Sequence, residues 1–87
     1  MNDEKQSNLT ALSADLNRNL ATMRRLMGDR WESASKEYRE ILTAAMVGSG
    51  DSNPIACAIP LAKEAQFQGA VPLMFLAVAT EMSEEKR

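Results

Sequence analysis

The sequence predicts an all-α protein, on three observations. Apolar residues from Leu9 to Met46 recur at spacings of three and four, the period of one helix face. Gly28, Pro54, Gly69 and Pro72 fall where helices would stop or start. The stretch Val71 to Ala79, VPLMFLAVA, is apolar on both sides of a helical wheel, with Val71, Met74, Phe75, Val78 and Met82 in one stripe and Leu73, Leu76, Ala77 and Thr80 in another. A helix apolar on both sides is a buried helix, so the rest of the chain has to be arranged to cover it. The expected architecture is a small four-helix bundle or orthogonal helical array, with 1–87 as one domain and 1–6 and 84–87 frayed. A chain of 87 residues buries only roughly 60 to 65% of its unfolded surface. Completion of the core by dimerisation is therefore part of the expectation.

Taken in order, the first helix begins at Asp3, with Gln6 three residues on as a capping box, or at Ser7. Leu9, Leu12, Leu16, Leu20, Met23 and Met27 form a narrow seam, within roughly 80° on the wheel, from which Leu26 is excluded. Arg18 and Arg25 point away from it. Asn19 lies at a seam position, where a polar residue either fixes register with a partner helix or sits half in water. Gly28 closes this helix in a left-handed cap, and Asp29 with Glu32 caps the next, so the joint is only a residue or two.

The second helix, Arg30 to about Val47, carries Trp31, Ala34, Tyr38, Ile41, Leu42, Ala45 and Met46 on one face and Glu32, Lys36, Glu37 and Glu40 on the other. Residues 48–53, GSGDSN, form the one true loop and the most flexible point. Asn53 before Pro54 reads as an N-cap ahead of a first-position proline. The third helix extends to Gln68, kinked or interrupted at Pro60, which has no amide to donate, and Gly69 closes it. Pro72 opens the fourth helix with Val71 as cap, which leaves Gln66, Gln68 or water to accept the first amides. That helix runs to about Met82 and frays through the solvated tail SEEKR.

Composition narrows the function. Ten Lys+Arg against 12 Asp+Glu give a net charge of -2, far from the basic balance of a protein that grips phosphates, so nucleic acid is disfavoured. Cys57 is the only cysteine, which rules out an intrachain disulfide. The polar, mixed-charge start MNDEKQSN does not read as a signal peptide, and Ala70 to Ala79 is about half the roughly 20 residues a membrane span needs. A cytoplasmic protein with no membrane association is expected.

No catalytic constellation stands out. The absence of histidine removes the commonest general base and metal ligand, and one cysteine makes no zinc site. Cys57 lies between two alanines, which suits a structural role better than a nucleophilic one. The pairs Glu84 with Glu85 and Glu37 with Glu40 read as solvated helix faces. GSGDSN faintly resembles an anion cradle but lacks the GKS or GKT ending of a P-loop. Arg18, Arg24, Arg25 and Arg30 are the alternative site: a helix face contacting nucleic acid, or an outer face answered by the acids of the second helix. No aromatic is interleaved with them for base stacking.

The remaining signal is apolar surface beyond one clean core, including methionines at 23, 27, 46, 74 and 82. It points to a non-enzymatic protein-interaction module without a cofactor, a homodimer that regulates, adapts, chaperones or inhibits a larger partner. Phe67, Val71, Met74, Phe75, Val78 and Met82 are the expected interface, with Leu73, Leu76 and Ala77 facing the chain's own core.

Overall fold

The computed structural model describes residues 2–85, with side chains described from Ala14 onward. Among the described residues the chain consists of helices and turns, with no strand: α1 (Asn2–Met27), a 3-10 turn (Gly28–Arg30), α2 (Trp31–Ser49), α3 (Pro54–Glu64) and α4 (Val71–Glu85). The expectations for Asp3, Gln6, Ser7, Leu9 and Leu12 concern side chains outside the described ones.

The apolar stretch of α4 forms the centre, and α1, α2 and α3 all pack against it. Ala77, Val78 and Ala79 have no exposed surface. Burying Thr80 costs little, because its hydroxyl donates to the Leu76 carbonyl at 2.7 Å. Around this helix the core gathers Leu20 and Met23 of α1, Trp31 and Leu42 of α2, and Cys57, Ala58 and Ala62 of α3.

Ala77 and Leu76 face the chain's own core as expected, but the packing corrects the rest of the assignment of the two stripes. Met74, Phe75 and Val78, expected to face a second chain, are buried within this one, whereas Leu73, expected to face inward, is 47% exposed. Val71 and Met82 are half-buried, packed on the same core. The reason lies in where α4 is covered. Leu73 and Thr80, seven residues apart, share nearly one line of the helix, yet Thr80 is 4% exposed. Cover on that side is complete only toward the C-terminal end.

On α1 the seam of Leu16, Leu20 and Met23 is buried and Leu26 is exposed. Asn19 is half-buried, and its Nδ2 donates to the Leu73 carbonyl at 3.0 Å. It therefore fixes α1 against the first turn of α4 within the chain. Gly28 takes the left-handed conformation, φ 55°. The capping box of Asp29 and Glu32 does not form. A capping residue needs extended backbone to turn its side chain onto the first amides, and Arg30, which precedes α2, stays helical at φ -80°, ψ -8° with no side-chain cap.

Helix α2 runs on through Gly48 to Ser49, and Gly50 is its left-handed cap, φ 72°. The expected six-residue loop shrinks accordingly, and it is internally bonded: Ser49 Oγ accepts the Asp51 amide at 3.3 Å and Asp51 Oδ1 the Asn53 amide at 2.9 Å. Those bonds take the Asp51 and Asn53 amides out of any anion cradle. Asn53 caps α3 as expected, its Oδ1 accepting the Ile55 amide at 3.0 Å. Pro60 does not interrupt α3, which is continuous across it. The carbonyl left without a donor is that of Ala56, and both residues are exposed, so water can serve it.

Helix α3 ends at Glu64, four residues earlier than expected, and a tight turn follows: the amides of Gln66 and Gln68 donate to the carbonyls of Lys63 and Ala65 at 3.3 and 2.9 Å. Phe67 therefore sits in a turn and not on a helix. The Val71 amide donates to the main-chain carbonyl of Gln68 at 3.2 Å, so the side chains of Gln66 and Gln68 are not needed as caps. The cap position falls on Ala70, whose carbonyl accepts the Met74 amide at 3.0 Å. Helix α4 continues to Glu85, and part of the expected solvated tail is thus helical.

Candidate functional site

Helix α2 buries the stripe Trp31, Ser35 and Leu42, and at about 100° per residue its remaining side chains fall on two flanks. Glu32, Lys36 and Arg39 lie on one, Glu37 and Ile41 on the other. Each flank borders a groove.

The first groove, about 720 Å³, is charged. Glu81 of α4 is its hub. One carboxylate oxygen accepts the Trp31 indole N–H at 3.0 Å, the other accepts from Arg39, and Arg24 of α1 approaches to 3.5 Å. Arg39 also meets Glu85 in a bidentate pair at 2.6 and 2.9 Å. The hydrogen bond to Glu85 is the main cause that raises the Arg39 pKa above its ordinary range; burial works against it and Glu81 adds to it. The same Arg39 contacts hold the Glu85 carboxyl below the usual carboxylate range, with burial opposing. One cluster thus ties α1, α2 and α4 together, with its charges mutually satisfied.

The second groove, about 370 Å³ and open to solvent, is apolar. Tyr38 and Ile41 of α2, Leu61 of α3, Ala65 of the turn, and Val71 and Phe75 of α4 line it, together with Glu37, Glu64 and Gln68. Tyr38 and Phe75 meet edge to face, 4.9 Å between ring centroids at 84°, which fixes the floor. Ile41 is 46% exposed, and Phe67 is 91% exposed in the same turn that supplies Ala65 and Gln68. Neither Glu37 nor Glu64 forms an ion pair with a described residue.

Of the interface expected from sequence, the fold places Val71 and Phe75 in this groove and Phe67 beside it, while Met74 and Val78 are taken by the core. Of the four arginines, Arg18 and Arg24 form ion pairs among the described residues. Arg18 pairs with Asp15 on its own helix and Arg24 with Glu81 of α4, so the answering acids are not those of α2. Cys57 is buried, its Sγ 3.7 Å from Ser49 Oγ. Among the described residues no cluster of three His, Cys, Asp or Glu is placed to hold a metal ion, and no helix is long and apolar enough to cross a membrane.

Arg39, Glu81, Ile41 and Leu61 are the residues that sequence reasoning passed over as site members. Only Ile41 carried a signal, as the edge of the apolar face of α2. The contacts of Glu81 join residues 42 and 50 positions apart and left no local pattern. No family model, curated protein or solved structure matches the chain.

Proposed function

We propose that this chain is a non-enzymatic protein-interaction module, a small regulator, adaptor, chaperone or inhibitor that docks a larger protein partner through the apolar groove between α2, α3 and α4. The observation that carries the reading is the groove together with its neighbour Phe67. Apolar residues scattered singly over a surface need no explanation, but a fixed aromatic floor bordered by exposed Ile41, with Phe67 exposed in the adjoining turn, is a grouped apolar surface. Large side chains seated in such grooves carry most of the energy of an interface. On this reading the four helices act as one small bundle that holds the groove open, and Phe67, Val71 and Phe75 are contact residues. Met74 and Val78 leave the interface because they are buried in the core and do not line the groove. With Met74 and Val78 in the core, a second copy would have to dock through the same groove, and the occupant taken in this reading is a different chain.

The test is affinity capture from the source organism with the wild-type chain and with Ile41→Asp and Phe67→Asp. A protein captured by the wild type should be lost with both variants and retained by Ser33→Asp, which lines the charged groove instead. Capture indifferent to Ile41 and Phe67 would overturn the reading. So would concentration-dependent self-association that both substitutions abolish, since the occupant would then be a second copy.

A further inference from the structure

We infer that the segment occupying the apolar groove is an amphipathic helix carrying a large apolar anchor flanked by lysine or arginine. The inference rests on the docking reading above and names the chemistry of the occupant. Its basis is a difference in how the chain treats its acids. Glu81 and Glu85 are matched by Arg24 and Arg39 in the charged groove. Glu37 and Glu64, from two different helices, converge on the apolar groove without a cation among its lining residues. Lys36 lines the opposite groove, and Lys63, next to Glu64 in the chain, does not line this one.

Covering these two carboxylates with a neutral or acidic partner would strip water from them without compensation. A basic partner offsets that loss and is steered toward the site, as expected of complementary interfaces. Shape points to a helix. Among the described residues no sheet edge exists for an extended peptide to join, and a furrow between packed helices accepts the ridge formed by side chains three and four residues apart.

A display library of randomised peptides selected against the intact chain tests both readings. Enriched peptides should place Phe, Leu, Ile or Trp at helical spacing with Lys or Arg beside them, become helical on binding, and shift the amide resonances of Ile41, Leu61 and Val71. Binding should weaken by about tenfold when Glu37→Gln and Glu64→Gln are combined, and weaken also with added salt. Ile41→Asp should abolish it. Enriched peptides that are acidic, uncharged or bound in extended form, lost with Ile41→Asp but indifferent to the paired Gln substitutions, would overturn the basic-helix inference and leave the docking site standing. Binding untouched by Ile41→Asp would overturn both.

Discussion

In the charged groove along one flank of α2, Glu81, Glu85, Arg24 and Arg39 satisfy one another; in the apolar groove along the other, Glu37 and Glu64 stand beside uncovered Ile41. Both grooves contain carboxylates, and both are built from α2 and α4. The difference lies in what the chain has already done with them. Charges that hold three helices together are committed to the fold, whereas charges left beside exposed apolar surface retain their capacity to recognise something else. A count of acidic residues, three against two, would not reveal the contrast, but their hydrogen bonds do.

Substitutions at four positions sharpen or break that contrast. The largest effect is expected from Leu42→Ala, which removes a side chain with no exposed surface from the stripe dividing the two flanks. Unfolding in urea should show a loss of about 2 to 5 kcal/mol. Glu81→Ala should follow, at about 1 to 2 kcal/mol: it leaves the Trp31 indole without an acceptor and Arg39 with Glu85 alone, while the 55% and 31% exposure of Arg24 and Arg39 limits the ionic part. Glu81→Gln should cost less, since its amide oxygen can still accept from Trp31. Equal losses for Ala and Gln would mean that charge, and not the indole hydrogen bond, dominates the hub.

On the other flank, Ile41→Asp should change stability by no more than about 0.5 kcal/mol in the same urea experiment, because the site is half open to solvent. Its expected effect is on capture of the partner alone. A large destabilisation would show that the groove is a core edge and not a docking surface.

The smallest effect concerns Glu85 and pH. Its carboxyl is held by Arg39 below the ordinary value of 4.5, so the unfolded chain takes up this proton first as pH falls. Its contribution to stability is complete above the ordinary glutamate range and disappears as pH drops through the lowered folded-state value. Thermal melts of Glu85→Gln and wild type should therefore differ slightly at neutral pH and converge in acid. A difference that grows in acid would contradict the pairing.

Much of the local structure was legible because its causes are local. Asn53 and Pro54 start a helix through bonds two residues long, and Gly28 provides a left-handed backbone that only its own type adopts readily. The central place of Val71 to Ala79 was legible as well, since apolar residues on both sides leave a helix nowhere to go but inside. Which side met which neighbour was not. Both stripes are apolar, and the choice between them was made by Asn19 bonding to Leu73 and by Arg24, Trp31 and Arg39 converging on Glu81, contacts between distant parts of the chain. The groove was half visible for the same reason. Ile41 and Phe75 stood out as apolar, but their meeting with Leu61 and Ala65 required α3 to stop at Glu64, and nothing within that helix signals an early end more strongly than Gly69 signals a later one.

Trp31 is the only tryptophan in the chain, and its indole N–H is tied to Glu81 in the charged groove, away from the residues that line the apolar one. The protein therefore carries a built-in optical probe that watches a single place. Its emission should report whether α2 and α4 are joined through the hub, moving to longer wavelength when water reaches the indole. A ligand settling between Ile41 and Phe75 should leave that signal almost still. An unchanged tryptophan spectrum during a titration that shifts the Tyr38 resonances would locate binding to one side of α2 without any label being added.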